Sequence, residues 1–245
     1  MTDWAIVWDL ETVLDTEIAA RLLKMESADE EAVREQHGDT FPKLPLHKIV
    51  CIGALIAKCD GDRVWRVESL GAPHIGERTE AELISAFDKR ILETRAQLVS
   101  FNGTSFDLPV LRYRAMINCV AAPGLACRNY FYRYSEDNLD LCDALSAFEG
   151  KGKLKLDDLC RILGLPGKPE GIDGSKVGDM VQQGKIAEVS AYCESDLVNT
   201  YRVWLRYELF KGRLTESGLN ASSDALDTYI RSKLNTKPHL GYLVV

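Results

Sequence analysis

Trp4 to Trp8 form a compact apolar run that stops at Asp9-Leu10-Glu11. A run this short, apolar at every position, reads as a buried strand reaching an edge where acids begin. Ile49 to Ala57 gives a second strand and Val64 to Leu70 a third, with Asp60-Gly61 between them as a hairpin turn. Leu83, Ile84, Phe87, Ile91 and Leu92 mark one face of a helix. Gln97 to Phe101 reads as a fourth strand, followed by Asn102-Gly103 and a helix beginning near Asp107, and Asn138 to Leu141 as a fifth strand. Leu156, Leu159, Cys160 and Leu163 predict a short helix ended by Gly164 and Pro166. Met180 and Val181 lie on another, closed by Gly184, and Ile186 to Leu209 is the strongest helical pattern in the chain. A last helix is expected over Ala225 to Leu234, broken by Pro238 and Gly241.

Between the first two strands, Val13 to His47 is a long charged excursion. Ile18, Leu22 and Leu23 predict a short helix there, while Glu26 to Gln36 is nearly all polar. Three strands joined by short turns, then alternating helix and strand, predict an α/β fold: a mixed sheet with helices on both faces. The expected division is one domain over residues 1–212, with 13–47 as a charged insertion and 213–245 as a C-terminal helical appendage and tail.

Composition narrows the class. At 245 residues, 46% hydrophobic and 27% charged, the chain can bury a full core without metal or disulfide staples, and it is no coiled rod or disordered tail. The seven cysteines form no C-x-x-C pair, so buried free thiols in a reducing cytosol are expected. Met1 to Leu10 carries no signal-peptide pattern, and no apolar stretch approaches the ~18 residues of a membrane span. A cytoplasmic, membrane-free protein is the expectation. Acids outnumber bases, 37 to 30, and the net charge of −7 by itself argues against a nucleic-acid partner.

The placement of the acids matters more than their number. Asp9 and Glu11, two apart in a strand, point to the same side, where like charges repel and a hard divalent cation would resolve the conflict. The same D-x-E spacing recurs at Asp15/Glu17 and Asp29/Glu31, but in the polar excursion and without a strand before it. On the long helix, Tyr192 and Asp196 are four residues apart and fall on or beside its apolar stripe, so they share a face. A carboxylate buried there needs a cation or a strong donor, and an Arg or Lys ion pair is the structural explanation. Asp107 sits after a strand, a glycine turn and a helix start, a common setting for α/β binding sites, although a capping role explains the residue equally well. Taken together, four acids and a tyrosine that can converge on one point are what two-metal phosphoryl chemistry needs.

Asp9-Leu10-Glu11-Thr12, Asn102 through Asp107 with Phe106 before the acid, and Tyr192-Cys193-Glu194-Ser195-Asp196 together resemble the three motifs of the DEDD superfamily of 3′–5′ exonucleases, in the form with tyrosine in the third. The nearest likeness is to stand-alone relatives of the proofreading domain of B-family DNA polymerases, and it covers roughly Trp4 to Tyr207. The resemblance implies a ribonuclease H-like fold and a metal-dependent 3′–5′ exonuclease, a hydrolase releasing nucleoside monophosphates from single-stranded DNA. It implies two divalent ions, Mg²⁺ or Mn²⁺, one held by Asp9, Glu11 and Asp196 and the other by Asp9 and Asp107. Tyr192 would orient the attacking water. Leu10, Thr12, Asn102 and Phe106 would shape the pocket for the terminal nucleotide.

Three alternatives stand beside it: an exoribonuclease with the same chemistry, a catalytically silent nucleic-acid-binding module, and an unrelated α/β enzyme whose acids are structural ion pairs. Lys151, Lys153 and Lys155, with Arg161 and Lys168 downstream, suit either a phosphate backbone or a solvated loop. Arg128, Arg133, Tyr130, Tyr132 and Tyr134 mix bases and aromatics, as base stacking requires, while packing on the domain explains tyrosines equally simply.

Overall fold

The computed structural model describes residues 3–26, 29–38, 40–168 and 176–245; Asp39, the last acid of the excursion, lies outside them. Strand β1 (Asp3–Leu14) pairs antiparallel with β2 (His47–Cys59), and β2 antiparallel with β3 (Trp65–Gly71). On its other side β1 pairs in parallel with β4 (Gln97–Ser100), and β4 in parallel with β5 (Asn138–Asp140). The order is β3-β2-β1-β4-β5. This is the mixed sheet the strand pattern predicts, with β1 at its centre.

The central position explains why Trp4 to Trp8 is apolar at consecutive positions. A strand covered on both faces has no solvent side to alternate with. Ala5 and Val7 join a core with Leu197, Tyr201 and Trp204 of helix α8 (Ile186–Phe210). Ile6, Trp8 and Leu10 join the opposite core with Leu83 and Phe87 of α3 (Glu80–Thr94) and Leu108 and Leu111 of α4 (Asp107–Ile117).

Two elements extend further than their apolar pattern. β1 continues past Glu11 to Leu14, with a register shift against β2 between Glu11 and Thr12. The first acids therefore sit inside the strand at a bulge, not at its end; bulges of this kind re-aim side chains. The excursion holds α1 (Thr16–Leu23) and also α2 (Glu30–His37), in which Val33 alone is buried, so no apolar stripe announces it. The Asp15 carboxylate caps α1 through Ile18 N, and Asp29 caps α2 through Ala32 N. The two further D-x-E pairs are thus helix starts: an acid at the cap and another in the first turn, facing the positive end of the helix dipole.

At the other end of the chain, α9 (Glu216–Lys233) begins at Glu216 rather than Ala225. Gly218, Asn220, Ser222 and Ser223 mask its first turns in the sequence, but the Thr215 hydroxyl caps it through Gly218 N. Ser222 Oγ and Tyr229 OH accept from Trp65 N and Leu70 N, which covers part of the free edge of β3. Leu226, Ile230, Leu240 and Leu243 lie in the same core as Ala5 and Val7. All seven cysteines are free thiols, and among the described residues no helix is long and apolar enough to cross a membrane.

One buried ion cluster ties the helix that begins at Asp107 to the rest. Arg114 reaches both oxygens of Glu80, at 2.7 and 2.6 Å, and Asp15 Oδ2 at 2.7 Å. Glu80 also accepts from Ile49 N and Asn118 Nδ2. Removing the cation leaves two buried carboxylates uncompensated. Arg114→Met is expected to lower unfolding stability by about 3–5 kcal/mol, read from urea denaturation.

Candidate active site

Asp9 and Glu11 leave β1 on the side that faces α8. The approach of that helix depends on Gly53, the β2 partner of Asp9. A Cβ at Gly53 would lie 2.4 Å from Cys193 Sγ and 2.9 Å from Leu197 Cδ1, so only glycine lets α8 pass this close to the acids. Tyr192 and Asp196 come from that stretch of α8. The fourth carboxylate, Asp107, begins α4, and its Oδ1 accepts from Leu10 N at 3.2 Å. One hydrogen bond therefore joins the first acidic segment to the second.

The turn before Asp107 is held from outside. Asn102 has φ +69°, a left-handed conformation that asparagine tolerates better than most residues. Asn102 N and Thr104 N donate to the Asp140 carboxylate at 2.7 and 2.9 Å. Asp140, buried at the end of β5, also caps α5 (Leu141–Leu145) through Cys142 N. On α8, Glu194 turns away from the acids and accepts from Lys237 and His239 of the C-terminal segment, which anchors the helix from behind.

The carboxylates strain one another. Burial, then the Asp196 charge, raises Asp9 from its ordinary 3.8 to about 7. Burial and the charges of Asp9 and Asp196 hold Glu11 well above the usual range, and burial with Asp9 does the same to Asp107. Asp196 is also raised by burial, against the opposing pull of Lys168. Lys168 Nζ lies 2.7 Å from Asp196 Oδ2, bonds the Tyr192 hydroxyl, and stands 4.5 Å from the centre of the Tyr192 ring. The cation that the buried Asp196 requires is therefore present, inside the acid cluster. Among the described residues, Asp196 Oδ1 is buried with no hydrogen-bond partner.

These features fit a hard divalent cation. Ligand atoms of Asp9, Glu11 and Cys193 lie within 4.8 Å of one another. The Cys193 thiol is pushed well up by its hydrogen bond with Cys51 and by burial, and it sits 4.0 Å from Asp9 Oδ2. The carboxylate oxygens of Asp9 and Glu11 are the hard donors of this group, the kind that Mg²⁺ and Mn²⁺ prefer.

The four expected pocket residues divide. Asn102 is exposed, and Phe106 and Thr12 are half-buried beside the acids. Leu10 is 5% exposed, with its side chain in the core below the sheet. Its neighbours at 9 and 11 take the opposite face, so Leu10 meets the site through its backbone N–H. Two further groups at the site carry no signal in sequence spacing. Lys168 reads only as the end of a basic stretch, and His47 as a lone histidine. His47 Nε2 lies 3.1 Å from the Pro42 carbonyl and Nδ1 lies 3.0 Å from Thr12 Oγ1. A carbonyl can only accept, and burial holds the ring neutral, so Nε2 carries the proton and the Thr12 hydroxyl donates to Nδ1. The His47 ring meets Phe106 edge-on at 4.7 Å, and Phe41 packs on both.

No curated protein matches the chain. Among solved structures it is similar to the family B DNA polymerase of the hyperthermophilic archaeon Pyrobaculum calidifontis, at 17% identity and a TM-score of 0.51, over 81% of this chain and 23% of the polymerase. It is also similar to exonuclease I in a product-bound form, at 13% identity and a TM-score of 0.41 over 82% of this chain and 47% of that one. The E. coli enzyme in complex with a dT13 oligonucleotide matches at 15% and 0.38, over 86% and 43%. The chain thus spans about a quarter of the polymerase and under half of exonuclease I. The polymerase likeness supports the ribonuclease H-like fold of such exonuclease domains. A family described as predicted 3′–5′ exonucleases related to the exonuclease domain of PolB matches residues 39–244, most of the chain and two of the three acidic segments. The chain belongs to this family of predicted 3′–5′ exonucleases.

Proposed function

We propose that the chain is a metal-dependent hydrolase that removes nucleoside monophosphates one at a time from the 3′ end of single-stranded DNA. The observation that carries this reading is the convergence of Asp9, Glu11, Asp107 and Asp196 with Tyr192, drawn from one strand and two helices. Family membership supplies the direction of attack, and kinship with a DNA polymerase domain favours DNA over RNA. Residues 1–212 would form the catalytic domain and 213–245 its C-terminal appendage.

Asp9, Glu11 and Asp196 would hold one divalent ion and Asp9 with Asp107 a second. When bound, the pair would supply Lewis-acid stabilisation of the charge on the phosphate and a water acidic enough to attack near neutral pH. The rest falls to the protein. Burial, with Asp196 next, pushes the Tyr192 phenol far above its ordinary value, so it stays protonated and cannot serve as a base. It can position a water by hydrogen bonding, and Lys168, bonded to its oxygen, sets its direction. Thr12 and Phe106 would border the terminal nucleotide, Asn102 would stand at the entrance, and Leu10 would hold Asp107. Hydrolysis adds water across the P–O3′ bond, freeing a 5′-monophosphate and leaving a new 3′-hydroxyl on the strand.

The test is a 5′-labelled oligonucleotide, DNA or RNA, with Mg²⁺ or Mn²⁺ and with EDTA. Stepwise shortening of DNA from the 3′ end, dependent on metal, is expected. Intact DNA in the presence of metal, or shortening that persists in EDTA, would overturn the reading. In Tyr192→Phe the turnover should fall on the order of a hundredfold while Mg²⁺ affinity by calorimetry stays unchanged. Loss of metal binding in that variant would contradict a positioning role.

A further inference from the structure

The mixed basic and aromatic stretch after α4 splits in the structure. Tyr130 is fully buried and its hydroxyl bonds the Ala96 carbonyl, so it belongs to the core. Tyr132 and Tyr134 are 63% and 62% exposed. Their rings meet edge-on at 5.9 Å, and Tyr134 meets Phe148 edge-on at 4.8 Å. Phe148 comes from a separate loop, where both Ala147 and Phe148 have left-handed φ, at +53° and +63°. Non-glycine residues hold such angles only where the surroundings enforce them. Here they leave a phenylalanine ring at the surface beside two tyrosines.

A cationic ladder joins this aromatic row to the candidate active site. Arg133 lies over the Phe148 ring at 5.6 Å and bonds Asp143 Oδ2 at 3.0 Å. Asp143 is buried, and its other oxygen is 2.9 Å from Lys153 Nζ. Lys153 Nζ in turn donates to Asn102 Oδ1 at 2.9 Å. One buried carboxylate thus pins two cations between the exposed rings and the entrance of the acid site, where Asp140 stands as a second buried carboxylate behind Asn102. In a chain of net charge −7 these two cations are what an anionic polymer would follow.

We propose that Tyr132, Tyr134 and Phe148, with Arg133 and Lys153, form a binding track for the nucleotides upstream of the scissile bond in a single-stranded nucleic acid. The rings offer π-faces to unpaired bases, and the two cations follow the backbone from the rings to Asn102. A duplex hides its base faces, so the occupant is single-stranded. The orientation of the strand, with its 3′ end at Asn102, rests on the exonuclease reading. The stacking itself does not.

The experiment compares wild type with a Tyr132→Ala/Tyr134→Ala double variant, using oligothymidylates of three and ten nucleotides. Both residues are exposed, so the fold should survive, and circular dichroism checks this. Binding is read by fluorescence anisotropy in EDTA, and hydrolysis separately in Mg²⁺. Ten-mer affinity should fall on the order of tenfold per ring removed, while the three-mer, too short to reach the rings, is cut at the wild-type rate. Arg133→Gln should flatten the salt dependence of ten-mer binding, because it removes a phosphate contact rather than a stacking face. Unchanged ten-mer affinity in the double variant overturns the track and would leave the rings as a surface for a protein partner. Equal losses for both lengths, or no ten-mer binding by wild type, overturn it as well. A wild type that binds the ten-mer through these rings but cuts nothing in Mg²⁺ would sink the exonuclease reading and leave the track standing.

Discussion

Asp9→Asn should reduce 3′-end hydrolysis on the order of a thousandfold or more, and should at the same time make the metal-free protein harder to unfold. The two effects share one cause. Asp9 is the acid assigned to both ion positions, so its loss removes a ligand from each. In the metal-free chain it is also a buried carboxyl raised to about 7 by burial and by Asp196. Between the ordinary value of 3.8 and about 7, the folded state binds this proton and the unfolded state releases it. Stability in EDTA therefore declines as pH rises through that window and stays low above it. Asparagine removes the ionising group, so the decline from pH 5 to pH 8 should be shallower in the variant. Mg²⁺ should stabilise the wild type at pH 8 and the variant much less. Thermal melts at the two pH values, with and without Mg²⁺, check each part. A variant less stable than wild type in EDTA at pH 8 would mean that Asp9 is held by a structural partner instead of by repulsion.

Lys168→Ala carries the second large effect, and here metal and mutation should compensate each other. Lys168 is the cation that neutralises Asp196 in the metal-free protein. Removing one partner of a buried pair leaves an uncompensated charge, at a cost of about 3–5 kcal/mol. Lys168 is partly exposed, so the loss should fall at the lower end of that range. On the proposed metal assignment Mg²⁺ would take over the neutralisation, so the gain in melting temperature on adding it should be larger in the variant than in wild type. Turnover should nevertheless fall about 10- to 100-fold, because the Tyr192 hydroxyl loses the donor that orients it. Equal losses of stability with and without Mg²⁺ would show Lys168 to be structural alone.

Much of the fold was legible because it rests on short-range pattern. Consecutive apolar positions marked β1 as a central strand, and spacing of three and four residues marked α3 and α8. Where the reading fell short, local chemistry overrode that pattern. α2 buries one valine and is held by an aspartate cap, and α9 opens on glycine, asparagine and serines that bond to the backbone and to the sheet edge. β1 runs past its acids because β2 offers it a pairing edge as far as His47.

The candidate site divides along the same line. Asp9 and Glu11 share a strand face, Tyr192 and Asp196 share a helix face, and Asp107 opens a helix after a glycine turn. These placements follow from periods of two and 3.6 residues and were readable from the sequence by itself. That they meet was not readable, because it depends on contacts between residues far apart in the chain. Gly53 lets α8 approach β1, the Leu10 N–H reaches Asp107, and Asp140 pins the Asn102 turn from another strand. Lys168 shows the limit most plainly. In sequence it is one lysine in a basic run, and only the packing of its segment against α8 sets its ammonium beside Asp196 and Tyr192. The sequence determined which residues could carry the chemistry, since residue type and local period are written into it. Tertiary structure decided which charges are buried together, because desolvation and Coulomb energy depend on distances that sequence spacing does not encode.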